Sequence, residues 1–175
     1  LRTELEPNLG LTGSGQDVSI MRSTVLNTGV VTIQDDIVKI NLKPKDEFLS
    51  GMLEVIESFV ISARKNGGVR FADLYKDLTS SEKHIGLRKG LIPIYLSAVL
   101  HEYKKEIVIC DRFGQITMSA DVIEQINADP GMFTLSYIDW SPEKEEYLAY
   151  LEDIFCEYAI EDRTTAPYEV VMFAM

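Results

Sequence analysis

The 175 residues are 46% hydrophobic, enough to bury one sizeable core, and carry 17 basic against 28 acidic side chains for a net charge of -11. That composition excludes a disordered tail. No run approaches the roughly eighteen apolar residues of a membrane span, and neither a basic N-terminal region nor a small-residue cleavage site marks a secretory signal, so no membrane partner and a cytoplasmic location are expected.

The opening, through Gly10-Leu11-Thr12-Gly13-Ser14-Gly15-Gln16-Asp17, is rich in Gly and polar residues and is predicted to be a linker or mobile loop. It lacks the Lys that a phosphate-cradling GxxxxGK[ST] loop requires and has no hydrophobic strand leading in. Gly29 to Ile33 and Ile37 to Leu42 follow as two short extended runs; Val38, Ile40 and Leu42 alternate with Lys39 and Asn41, the period of a half-buried strand, and a β-hairpin is predicted. Pro44 closes it. Asp46 then offers an N-cap for a helix whose apolar residues Phe48, Met52, Val55, Ile56, Phe59, Val60 and Ala63 recur at three-and-four spacing up to Asn66-Gly67-Gly68.

Val69 to Phe71 is predicted as a short strand, Ala72 to Leu78 as a short helix and Thr79 to Glu82 as a polar turn. A longer helix built on Leu91, Ile92, Ile94, Tyr95, Ala98, Val99, Leu100 and Tyr103 carries Pro93 in its first turn, where the missing N–H is harmless. Glu106 to Cys110 and Gln115 to Met118 are two strands joined by Asp111-Arg112-Phe113-Gly114. Helix, short strand, short helix, turn, helix and two-stranded wing is the winged-helix order. Beyond it, Asp121 to Ala128 is a short helix stopped by Asp129-Pro130-Gly131, Met132 to Tyr137 a third strand, and Ser141-Pro142-Glu143 the start of a helix with Tyr147, Leu148, Leu151, Ile154, Phe155 and Tyr158 as its apolar stripe. The fold class expected is therefore α+β: linker and hairpin over 1–45, a winged-helix-like domain over 46–119, and an acidic extension with C-terminal helices over 120–175. The chain opens on Leu1 and stops in the apolar Tyr168 to Met175, and both ends are expected to be cut from a larger protein.

The charge is unevenly placed. Between Asp121 and Asp162 twelve carboxylates face the single base Lys144, so that segment carries the whole net charge and the remainder is balanced. The helix over 141–160 is accordingly a candidate docking surface for a basic protein partner, through Glu145, Glu152 and Glu157, with a solvated acidic face as the plainer alternative. The helix expected to read DNA is poorly equipped to do so: from Leu91 to Tyr103 it offers only Ser97, His101 and Glu102 besides tyrosine hydroxyls, where base readout wants Arg, Lys, Asn or Gln. Its flanks differ. Lys83, Arg88 and Lys89 precede it, Lys104 and Lys105 follow it, and Arg112 sits on the wing turn, cations that could meet duplex phosphates without reading sequence, with a solvated basic rim as the plainer alternative.

No enzyme is predicted. His84 and His101 have no Cys, His or carboxylate at ligand spacing, Cys110 and Cys156 form no CxxC, and Asp35-Asp36 and Glu145-Glu146 are sequence neighbours that cannot face each other across a cleft. No GxSxG or HExxH pattern occurs, and neither cofactor nor metal is expected.

Gly86-Leu87-Arg88-Lys89-Gly90-Leu91-Ile92-Pro93, the hairpin after it, and Ile123 to Phe133 resemble a region of large bacterial P-loop ATPases of phage-defence islands, similar to those of BREX-type systems. The resemblance runs from Phe71 to Phe155, and the closing Pro167 to Val171 also fits such a protein running on. It implies a winged-helix-like module attached to an ATPase core, relaying nucleotide state or contacting DNA, with the remainder of that parent protein as a partner. The nucleotide-binding motifs themselves do not occur in this segment.

Overall fold

A computed structural model describes residues 11–34, 37–80, 85–138 and 141–154. The chain is mixed α+β, and its sheets are small and antiparallel. It divides into two compact units that interleave in sequence: the described residues up to Ser58 together with Leu78–Glu102, and Phe59–Asp77 together with the described residues from Tyr103 onward.

In the first unit, the opening expected as a linker through Asp17 folds from Gln16 onward. Helix α1 (Gln16–Met21) carries Asp17 in its first turn and continues into a π-helical turn over Arg22–Leu26. The wider turn shifts the backbone register, and hydroxyls take up its carbonyls: Ser23 Oγ and Thr24 Oγ1 donate to Ile20 O at 3.1 and 2.7 Å, and Thr28 Oγ1 donates to Thr24 O at 2.8 Å. Val18 and Val25 are buried along this stretch. Strands β1 (Val31–Gln34) and β2 (Ile37–Ile40) pair antiparallel with Val31 opposite Ile40, and the Asn41 amide extends the ladder by donating to Val30 O at 2.7 Å.

Helix α2 (Glu47–Asn66), whose residues from Phe59 onward belong to the second unit, starts where the sequence places its cap: Asp46 Oδ1 accepts from the Leu49 amide at 2.8 Å. It buries Leu49, Met52, Leu53, Ile56, Val60 and Ala63, a three-and-four stripe, whereas Phe48, at the flank of the stripe in the first turn, stays 55% exposed. Asp46→Ala leaves that amide without its partner and is expected to cost about 1 kcal/mol, read as a lowered thermal midpoint. The first unit is completed by α4 (Ile92–Glu102), entered through a 3-10 turn over Lys89–Leu91, with Pro93 as its second residue. Ile92, Leu96, Val99 and Leu100 are fully buried, and Leu87 N donates to Leu78 O at 2.8 Å, fixing the approach to α4.

The second unit is built on a four-stranded sheet. Its strands are β3 (Val69–Arg70), β4 (Ile107–Asp111), β5 (Gly114–Ile116) and β6 (Thr134–Tyr137), in the order β3-β6-β4-β5. The strand from the acidic extension is thus an inner one: Leu135 lies opposite Val69 on one side and Ile109 on the other, so the sheet is not contained within 46–119. Gly68, at φ 153°, brings the chain into β3; a Cβ there would make only ordinary contact with β6, 3.4 Å from Ser136 Oγ and 3.8 Å from Leu135 O, so it is the backbone conformation that favours glycine.

Helices α3 (Phe71–Thr79) and α5 (Ala120–Ala128, capped by Ser119 Oγ accepting from the Val122 amide) supply Phe71, Leu74, Ile123 and Ile126 to the buried set. The Phe71 and Phe59 rings meet at 5.4 Å between centroids, and Tyr75 Oη donates to Asn127 Oδ1 at 3.2 Å. A 3-10 turn over Pro130–Met132 leads into β6. Burial pushes the Tyr75 phenol up to about 12 from the ordinary 10. The unfolded chain therefore loses this proton first: stability is full below about pH 10 and falls as pH rises toward 12. Urea midpoints measured from pH 8 to 12 should show this decline, flattened in Tyr75→Phe. Tyr95 is raised by burial and then by Asp46, and adds a loss of the same sign.

Helix α6 (Pro142–Ile154) begins after Ser141, whose Oγ accepts from the Lys144 amide at 3.4 Å. A hydrogen bond from Ser141 and then the backbone amide of Glu143 hold the Glu143 carboxyl below its usual range, the interactions of an acid in a first helical turn.

Candidate nucleic-acid and partner-binding surfaces

Helix α4 cannot present a reading face. Ile92, Tyr95, Leu96, Ala98, Val99 and Leu100 are buried, and the Ser97 hydroxyl is spent on Pro93 O at 2.7 Å. A helix with those six positions inside is a core element, which agrees with the apolar composition of its sequence.

Of the six cations proposed for phosphate contact, five are described, in three places. Lys83 lies outside the described residues. Arg88 and Lys89 stand together, both exposed, at the entry to α4: Arg88 is the extended residue before the 3-10 turn, at φ -65° and ψ 132°, and its carbonyl accepts from the Leu91 amide at 2.9 Å. Lys104 and Lys105 occupy the turn before β4, while Arg112 occupies the turn after it. These two groups sit at opposite ends of one strand, about 20 Å apart at the ordinary rise of an extended chain. They cannot share a phosphate, though they can meet separate ones. Lys89, Lys104 and Lys105 each already take part in an interaction within the protein, which any ligand would have to displace or share.

The β4-β5 turn is closely defined. Asp111 pairs with Gly114, leaving Arg112 and Phe113 as the two turn residues. Asp111 Oδ1 accepts from the amides of Phe113 at 2.7 Å and Gly114 at 3.1 Å, and Gly114 takes φ 138°, where an L side chain is strained. The sequence places glycine inside this turn; the structure makes it the first residue of β5. The Arg112 Cζ lies 4.5 Å from the centroid of the Phe113 ring, and Phe113 is 82% exposed. Phe113 is the residue that the list of cations omits. Its signal was available, because the two residues of a tight hairpin turn lie beyond the ladder and escape both faces of the sheet.

The acidic surface is partly described. Glu145 is exposed on α6; the Glu152 side chain and the whole of Glu157 lie outside the described residues, as does the expected continuation of this helix from 155 to 160. The expected apolar stripe is corrected at its start: Tyr147 is 62% exposed, and Tyr150, one turn on, is 63% exposed, while Leu151 is half-buried. Among the described residues no group of three or more His, Cys, Asp and Glu could hold a metal ion, and no helix is long and apolar enough to cross a membrane. No protein-family model, no curated protein and no solved structure matches this chain.

Proposed function

We propose that this chain is a non-catalytic, winged-helix-like module that contacts the backbone of duplex DNA through Arg88 and Lys89 at the entry to α4, Lys104 and Lys105 at its exit, and Arg112 on the wing turn. The observation that carries the proposal is the β4-β5 hairpin directly following a buried α4, with an arginine at its tip. Cations that flank, in sequence, a helix without base-reading side chains suit contacts to phosphates and not sequence readout. The resemblance of Gly86 to Pro93 supports a parent of the phage-defence ATPase kind, in which the module would anchor the motor on DNA or relay its nucleotide state. Fluorescence anisotropy with an arbitrary-sequence duplex tests the DNA reading. Binding is expected at about 20 mM salt, without sequence preference, and should weaken steeply by 200 mM. A chain that shows no binding at low salt does not have this function.

A second reading rests on Tyr147 and Tyr150, two exposed rings one turn apart on α6 beside Glu143, Glu145 and Glu146. Acids and aromatic faces together suit a lysine- or arginine-rich protein segment. A Lys-rich peptide would then bind the chain and be lost on combining Glu145→Gln with Tyr147→Ala; retention by that variant would remove the reading.

A further inference from the structure

Single exposed apolar side chains are ordinary, so the exposure of Phe113 alone would mean little. Three features set it apart. It stands on the outermost residues of a hairpin, beyond the last ladder pair Asp111↔Gly114. Its mount is fixed, because one carboxylate oxygen accepts from two consecutive amides of the turn and the glycine that follows occupies a conformation reserved for that residue. The Arg112 guanidinium lies over the ring, which places a cation beside the aromatic surface.

A convex tip cannot enclose a small molecule, which needs a concave site. A cation beside an aromatic ring also suits an anionic partner better than a neutral apolar pocket on another protein. Nucleic acid unites the two complements, a phosphate and a flat base, at one nucleotide's spacing. Prising apart two stacked base pairs costs more than one ring and one cation return, whereas a base that is already unpaired offers its face without that cost.

We infer that Phe113 is a stacking platform for an unpaired nucleobase, with Arg112 taking the adjoining phosphate. The target is then a single-stranded overhang or gap in DNA, in place of uniform duplex. This deepens the proposed DNA-backbone contact and rests on it. The preference comes from the wing tip, while the helix-entry pair Arg88 and Lys89 supplies affinity that ignores strandedness.

The experiment uses the whole chain and duplexes ending either blunt or in a short overhang that carries 2-aminopurine. The chain is expected to bind the overhang about ten-fold more tightly than the blunt duplex and to change the 2-aminopurine emission on binding. Phe113→Ala should abolish both the preference and the emission change while leaving blunt-duplex affinity unaltered; Phe113→Trp should restore them. Binding that persists in Phe113→Ala with the same overhang preference overturns the stacking role and leaves the backbone contact standing. Failure of the unsubstituted chain to bind either duplex overturns both. If Phe113→Ala instead dissolves a concentration-dependent dimer in sedimentation velocity, the ring is a protein contact and the inference falls.

Discussion

Leu135→Ala is expected to lower the stability of the second unit by about 3 to 4 kcal/mol, moving its urea midpoint down by at least roughly 1 M. Leu135 is completely buried at the middle of the sheet, opposite Val69 on β3 and Ile109 on β4, both of which its side chain accompanies along the same strand positions. Truncation removes the transfer energy of the side chain and leaves a cavity that three hydrogen-bonded strands cannot easily close. Ser136→Ala, on the next residue and only half-buried, should cost under about 1 kcal/mol and serves as the comparison. The same placement predicts that a chain ending at Ser119 will not form a folded second unit, since β3 would lose its partner strand and β4 one of its two. Near-native near-ultraviolet dichroism in such a fragment, or an unmoved midpoint in Leu135→Ala, would contradict the position of β6.

The second large effect concerns DNA. Reversing Arg88 and Lys89 to glutamate should lower duplex affinity at low salt by at least about ten-fold and reduce the slope of log affinity against log salt by about 2, because each neutralised phosphate releases close to one counterion. Both side chains are exposed, and Lys89, in the 3-10 turn, has an interaction within the protein to lose, so the double variant should lose no more than about 1 kcal/mol of stability. Arg112→Glu acts at a separate place, about 20 Å from Lys105 along β4, and should reduce the slope by about 1 more when combined. An unchanged slope in the double variant would sink the proposal that the entry to α4 meets phosphates.

Much of this architecture could be read locally. The period of α2, its Asp46 cap and the proline in the first turn of α4 are set by residues within a few positions of one another and were found where the sequence places them; the Asp-to-Gly hairpin turn was found with Gly114 one place on, in β5. What escaped was nonlocal or disguised. A four-residue strand such as Thr134-Leu-Ser-Tyr137 announces its own extension but carries no mark of its neighbours, so its insertion between β3 and β4 was out of reach, and with it the true extent of the sheet. The helix from Gln16 was hidden by its own chemistry: Ser and Thr read as turn formers because their hydroxyls compete for backbone groups, yet Ser23, Thr24 and Thr28 use those hydroxyls to satisfy carbonyls of the helical turn. The cations of the candidate surface were legible as residues, and so was the strand that separates Lys104 and Lys105 from Arg112.

The inner position of β6 also dictates an order of events during synthesis. The β4-β5 hairpin is complete at Ile116, but the strand that flanks β4 on its other side ends only at Tyr137. At translation rates of about 5 to 20 residues per second, the nascent hairpin carries one unpaired edge, along Ile107 to Asp111, for roughly 1 to 4 seconds. An apolar strand with an open edge invites pairing with other chains. The helix over Ala120–Ala128, with Asp121 and Glu124 exposed on it, is among the residues synthesised during that interval, and exposed charges disfavour association between chains.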